Sequence, residues 1–166
     1  MRTPTLISST LALVITAILL ASLGGCASTG SGNGAADYPI VASTLDGDPY
    51  DIGARLDAGE TVALVFWQTG CPHSKEAAPD LVAAATEKGE RITFLGLVPG
   101  PAGVIPSDSI RQKAAEWSIP YPTLRDADLA LYNLFGVGGT PTIVVIDSDR
   151  TVRYRSSQLP RSWASL

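Results

Sequence analysis

The chain has 166 residues, with 12 basic and 16 acidic side chains and a formal net charge of −4. That length fits one domain plus short extras, and leaves enough chain for a single core. A mildly acidic sequence without a basic cluster gives no basis for nucleic-acid binding, and a single histidine with two cysteines supplies too few ligands for a closed zinc site.

Met1-Arg2 gives a short basic start, and Leu11 to Leu20 is almost wholly apolar. This run is shorter than the span of about 20 residues that crosses a membrane. It suits the h-region of a signal peptide. Leu23-Gly24-Gly25-Cys26 follows and resembles a bacterial lipobox. The resemblance implies that residues 1–25 are removed and that Cys26 is lipidated as the first mature residue. Residues 26–37 are rich in Ser, Gly, Asn and Ala and read as a flexible tether. The folded domain is expected over residues 38–166. The expected location is the bacterial cell envelope, outside the cytoplasm and lipid-anchored to a membrane. With Cys26 carrying lipid, Cys71 is the one thiol left. A lone thiol in an oxidising compartment is unusual and points to intermolecular pairing or a reactive group.

Val41 to Leu45 predicts a short strand, Asp46-Gly47 a turn, and Pro49 to Ile52 the returning strand. Arg55 to Thr61 reads as a polar connection. Thr61 to Trp67 is a continuous apolar run, as in a strand buried on both faces. Pro72 at a first helical position starts a helix running to Lys88, with Leu81, Val82 and Ala85 on its buried stripe and Gly89 at its end. Pro79 inside the pattern predicts a kink. Ile92 to Val98 is a second buried strand, Pro99 to Ser107 a loop, and Ser107 or Asp108 caps a helix reaching Ser118. Ile119 to Leu124 is extended because each proline pushes its predecessor out of the helical region. A short helix over Asp128–Phe135, a strand over Thr142–Ile146, a turn at residues 147–150 and a return strand over Thr151–Arg155 complete the chain. Residues 158–166 allow at most two helical turns, interrupted at Pro160. Alternating strands and helices imply an α/β fold with a central mixed sheet, flanking helices and a short C-terminal helix.

Cys71-Pro72-His73-Ser74 stands where the strand ending at Trp67 runs into a helix. A Cys-x-x-Cys at such a junction reads as a redox site, and here Ser74 takes the place of the second cysteine. Cys71 can attack a disulfide, but with Ser74 at the resolving position it has no neighbouring thiol to resolve the mixed disulfide. The helix N-terminus and a protonated His73 both favour a thiolate at Cys71. Ser74 can donate its hydroxyl to that sulfur.

The chain resembles the thioredoxin-like superfamily, in particular its exported, membrane-tethered TlpA-type redoxins. The likeness rests on Leu45-Asp46-Gly47, Phe66-Trp67-Gln68-Thr69-Gly70-Cys71-Pro72, Pro79, Tyr121-Pro122-Thr123-Leu124, Asp126 and Gly136-Val137-Gly138-Gly139-Thr140-Pro141-Thr142. It spans Val41 to Arg155. The resemblance implies that Cys71 is the nucleophile, that Thr140-Pro141 is a cis-proline loop binding a partner's backbone, and that Trp67 and Pro72 flank the site. Pro72-His73 is similar to the dipeptide of strongly oxidising Cys-Pro-His-Cys donors. Glu76 lies one place before the position where some cytochrome-maturation members carry a glutamate, and Ala77 fills that position.

The leading expectation is a membrane-tethered monothiol protein that forms mixed disulfides with exported proteins or small thiols. No cofactor and no metal is expected, since Gly136-x-Gly138-Gly139 precedes a strand, the reverse of the dinucleotide order. A lone thiol is also compatible with a disulfide-linked dimer through Cys71. A second reading is a thiol peroxidase of peroxiredoxin type, which that family's pattern opposes: Gln68 stands where its threonine would, and Pro141 where its arginine would. A third is a tethered binding module without redox activity.

Overall fold

The computed structural model describes residues 39–163. The signal segment, the lipidation candidate Cys26 and the tether lie outside the described residues. In chain order the elements are β1 (Val41–Ser43), β2 (Pro49–Asp51), α1 (Gly53–Asp57), β3 (Thr61–Phe66), α2 (Pro72–Lys88), β4 (Ile92–Pro99), α3 (Ser107–Glu116), β5 (Thr123–Asp126), α4 (Ala130–Leu134), β6 (Thr142–Ile146) and β7 (Val152–Ser156).

The seven strands form one sheet in the order β2-β1-β5-β4-β3-β6-β7. β3 pairs in parallel with β4, and β4 with β5. β6 runs antiparallel to β3, and β7 to β6. β1 closes the other side antiparallel to β5 and β2. Phe66 stands opposite Leu97, and Pro99 opposite Asp126. The three parallel strands therefore end along one edge of the sheet. In open α/β sheets that edge is where chemistry is built, and α2 begins there.

The apolar run in β3 explains its central place. Val62, Leu64 and Phe66 enter one core cluster, and Ala63, Val65 and the following Trp67 enter another. Successive side chains of a strand point to opposite faces, so the clusters lie on the two sides of the sheet. Leu56 of α1 and Leu131 of α4 cover the first. Leu81, Ala84 and Ala85 of α2 and Ile110 of α3 cover the second. This is the mixed sheet with flanking helices expected of a thioredoxin-like fold.

Three details differ from the sequence reading. The polar connection begins with a helix, α1, whose Leu56 is pulled into the core. The extended 119–124 stretch yields a strand only from Thr123 and carries it on to Asp126. The short C-terminal helix is not formed among the described residues: 157–163 hold no helical turn. Pro160 is buried, and it lacks the N–H that a helix would use. Leu159 and Trp163 instead lay this strap on the second core, with the Trp163 ring 5.4 Å from Phe94. The helix α2 runs through Pro79 to Lys88, lacking only the one backbone donor that proline removes. No helix among the described residues is long and apolar enough to cross a membrane.

Candidate active site

Cys71 is the residue that caps α2. Its backbone is extended (φ −89°, ψ 114°), and Pro72 opens the helix behind it. Its N–H donates to the Gln68 carbonyl at 3.2 Å, and its carbonyl accepts the Lys75 N–H at 3.2 Å. These bonds hold the thiol at the helix N-terminus, where unpaired N–H groups and the helix dipole favour negative charge.

The sulfur is half-buried. Its S–H donates to the Thr140 carbonyl at 3.1 Å. The Thr140–Pro141 peptide is cis, as the resemblance implied. Thr142 Oγ1 donates to the Gly139 carbonyl at 2.7 Å and ties the start of β6 to that loop.

Burial pushes the Cys71 thiol up. Hydrogen bonds from the Thr140 side chain, the Ser74 hydroxyl and the backbone N–H groups of Ser74 and His73 outweigh it and bring the thiol down to about 7. The Thr140 carbonyl works the other way, because a carbonyl can accept only from the protonated sulfur. The donors win, and near neutral pH the site holds thiol and thiolate together.

Ser74 is 2% exposed. Its Oγ accepts the Gln68 N–H at 3.4 Å while its hydroxyl faces the sulfur. The residue at the resolving position is thus an enclosed hydrogen-bond partner of the nucleophile. His73 is arranged differently. Its ring is exposed, with Nδ1 3.3 Å from Glu76 Oε2, and it is the His73 backbone N–H that reaches the sulfur. Trp67 is 2% exposed and packs on Trp117 with ring centroids 5.2 Å apart. It forms a wall behind the site. Among the described residues no three His, Cys, Asp or Glu side chains gather where a metal ion could sit.

Beside the thiol runs a groove of about 510 Å³, lined by His73, Glu76, Thr140, Pro141, Ser157 and Gln158 among others. Ser157 and Gln158 do not emerge from motif reading. Their signal lies in the hairpin: Ile143 pairs with Ser156, so the residues after β7 must lie beside the Thr140-Pro141 loop before β6.

The sequence model of the AhpC/TSA family matches residues 37–155. The chain belongs to the AhpC/TSA family. No curated protein matches it. Among solved structures, this AhpC/TSA member is similar to a secreted disulfide oxidoreductase of Mycobacterium tuberculosis homologous to Escherichia coli DsbE. Identity is 24%, covering 76% of this chain and 89% of that one, with a TM-score of 0.60. It is also similar to M. tuberculosis DsbF (22% identity, 72% and 84% coverage, TM-score 0.61). A thiol:disulfide interchange protein of the thioredoxin family from Chlorobium tepidum matches at 25% identity, with 76% and 87% coverage and a TM-score of 0.59. The fold of this AhpC/TSA protein is thioredoxin-like, and its structural neighbours include thiol-disulfide oxidoreductases.

Proposed function

We propose that the protein is an envelope lipoprotein of TlpA type, anchored through Cys26, that carries out thiol-disulfide exchange with Cys71 as its only nucleophile. The observation that supports this best is the setting of Cys71. Its sulfur is half-exposed beside a groove, is brought to about 7, and has a buried hydroxyl where a resolving thiol would stand. In the forward step the Cys71 thiolate attacks one sulfur of a partner disulfide. The Cys71–partner bond forms, the old S–S bond breaks, and the other sulfur leaves as a thiolate that takes a proton from water. A second thiol, on the partner or in solution, then attacks the mixed disulfide and frees Cys71. Pro72 and Ser74 shape the helix start, and the Thr140-Pro141 loop supplies the backbone on which a partner segment lies. The partners are exported proteins or small thiols. A disulfide-linked dimer through Cys71 is a resting form of the same chemistry.

The test is trapping. The protein, expressed with its own leader, is acid-quenched, alkylated and run on a non-reducing gel. Adducts that vanish with reductant and with Cys71→Ser support the reading. Their absence under oxidising conditions would overturn it.

Membership of the AhpC/TSA family favours a second reading, a thiol peroxidase. Here the thiolate attacks a peroxide oxygen, the O–O bond breaks, Cys71 becomes a sulfenic acid and an alcohol or water leaves. Gln68 and Pro141 at the threonine and arginine places of that family weigh against it. Peroxide consumption together with dimedone labelling of Cys71 distinguishes the two.

A further inference from the structure

The groove beside Cys71 does not end at the cis-proline loop. Ala77, Ser157 and Gln158 line it and also line a second hollow of about 200 Å³, whose walls continue to Asp80, Leu81 and Leu159. The two form one channel between α2 and the C-terminal strap. It exists because that strap is extended and narrow, with no helix among the described residues to fill the space.

The channel has a sign. Glu76 and Asp80 are four residues apart on α2 and so share a face. Among the described residues no Lys or Arg lines either hollow. Glu76 meets only the exposed His73 ring, and Asp80 has no hydrogen-bond or ion-pair partner among the described residues. The Leu81, Ile143 and Leu159 side chains supply an apolar floor beside these carboxylates.

Resting on the exchange reading above, we propose that this channel selects its partner: an extended segment of a cysteine-bearing polypeptide with basic side chains two to four residues from its reactive cysteine. The spacing follows from the helix. Glu76 and Asp80 lie five and nine residues beyond Cys71, or about 7.5 and about 13.5 Å along the axis at roughly 1.5 Å per residue. An extended chain covers about 3.3 Å per residue. Its second and fourth residues therefore fall beside the two carboxylates, while its cysteine meets Cys71. Long Lys or Arg stems would lie on the apolar floor with their charge at the rim.

The test uses the domain as the full chain with reporter peptides whose single cysteine is a 2-pyridyl disulfide. The Cys71 thiolate attacks the peptide sulfur, the peptide–Cys71 disulfide forms, and pyridinethione leaves and is read by absorbance. Two sets of peptides carry Arg or Glu at the second and fourth places, on either side of the cysteine. The expected result is an Arg-over-Glu rate ratio of roughly three- to tenfold at low salt, as two largely exposed charge pairs allow. The ratio should shrink at high salt, shrink in Asp80→Asn, and invert or vanish in Asp80→Lys. Because each ratio is taken within one variant, a general loss of reactivity does not mimic the effect. A ratio near one in the unaltered protein, or one that Asp80→Lys leaves intact, overturns the channel assignment alone. Uncharged dithiodipyridine is run beside the peptides. If Cys71 fails to react with it near neutral pH, the exchange reading falls and this one falls with it.

Discussion

Cys71 Sγ lies 3.1 Å from the Thr140 carbonyl oxygen, and this contact separates the two forms of the thiol. Protonated, the sulfur is held to the cis-proline loop. Ionised, it loses that acceptor and depends on the donors of Thr140, Ser74 and His73. The loop thus distinguishes the two forms: its carbonyl holds the thiol, and its release leaves the thiolate to the donors around it.

The thiol sits at about 7. Reaction of Cys71 with iodoacetamide should therefore rise with pH and be half-maximal near that value. Below it the rate should fall about tenfold per pH unit, because only the thiolate reacts. A midpoint at the ordinary cysteine value of about 8.5 would sink the activated site.

Ser74→Ala removes the hydroxyl donor to the sulfur and the acceptor of the Gln68 N–H. The alkylation midpoint should move upward. Stability should fall by about 1 kcal/mol, since the half-buried Gln68 N–H loses its partner at 3.4 Å. Urea unfolding and the pH profile measured together check both. His73→Ala should move the midpoint less, because the group that reaches the sulfur is the backbone N–H, which the variant keeps.

Much of this site can be traced in the chain, and the limits are physical. The β3 run, the proline at the start of α2 and the Gly-Thr-Pro-Thr pattern each follow a strong local rule, and they converge on Cys71. Trp67 shows where local rules stop. In a strand buried on both faces, periodicity does not say which neighbour covers a side chain, and Trp117, fifty residues away, covers this one. The helix α1 is five residues long, its first turn held by the Ala54 N–H donating to Asp51 Oδ1 at 3.1 Å, and is too short for a 3.6-residue period to show. The C-terminal strap was legible only as a short segment. Its course was set by where Leu159 and Trp163 found apolar surface, which no local pattern encodes.

Asp126 is 2% exposed, and its carboxylate accepts the N–H groups of Leu131 and Tyr132 at 3.1 and 2.8 Å. Asp126→Ala leaves two backbone donors at the start of α4 without this partner and should cost about 1–3 kcal/mol in urea unfolding. Burial raises this carboxyl above its ordinary value, against the pull of the Tyr132 and Leu131 N–H groups. The native state therefore holds its proton longer than the unfolded chain. This group favours the fold at low pH, and that contribution is lost as pH rises from about 4 through the raised value. The stability of the unaltered protein relative to Asp126→Asn should fall over that window. A gap that instead widens with pH would contradict the burial argument.

Gly96, in the middle of β4, is needed for space. A methyl there would sit 2.9 Å from both Thr123 Oγ1 and Trp67 Nε1. The Trp67 ring is fully enclosed and pressed on Trp117, so it has little room to retreat. Gly96→Ala should destabilise by about 1–3 kcal/mol, the usual cost of overpacking. It should also disturb the wall behind Cys71. A near-UV spectrum that changes along with the unfolding midpoint is the expected outcome, and an unchanged midpoint would show that the ring moves aside freely.

Ser74→Cys tests what a single thiol among the described residues means for the proposed exchange. Position 74 is one helical turn from Cys71, a spacing that puts Cβ atoms about 5–6 Å apart, and small adjustments bring such a pair within disulfide reach. The Ser74 hydroxyl already faces the sulfur. In the variant, the new thiolate attacks Cys71 Sγ in the mixed disulfide, an internal S–S bond forms, and the partner leaves as a thiol after taking a proton. Where the proposed exchange leaves mixed disulfides on the unaltered protein, the variant should show none of them on a non-reducing gel, and an internal disulfide should appear by mass. If the adducts persist at their former level, the enclosure of position 74 blocks the attack, and Ser74 is not what keeps the partner bound to Cys71.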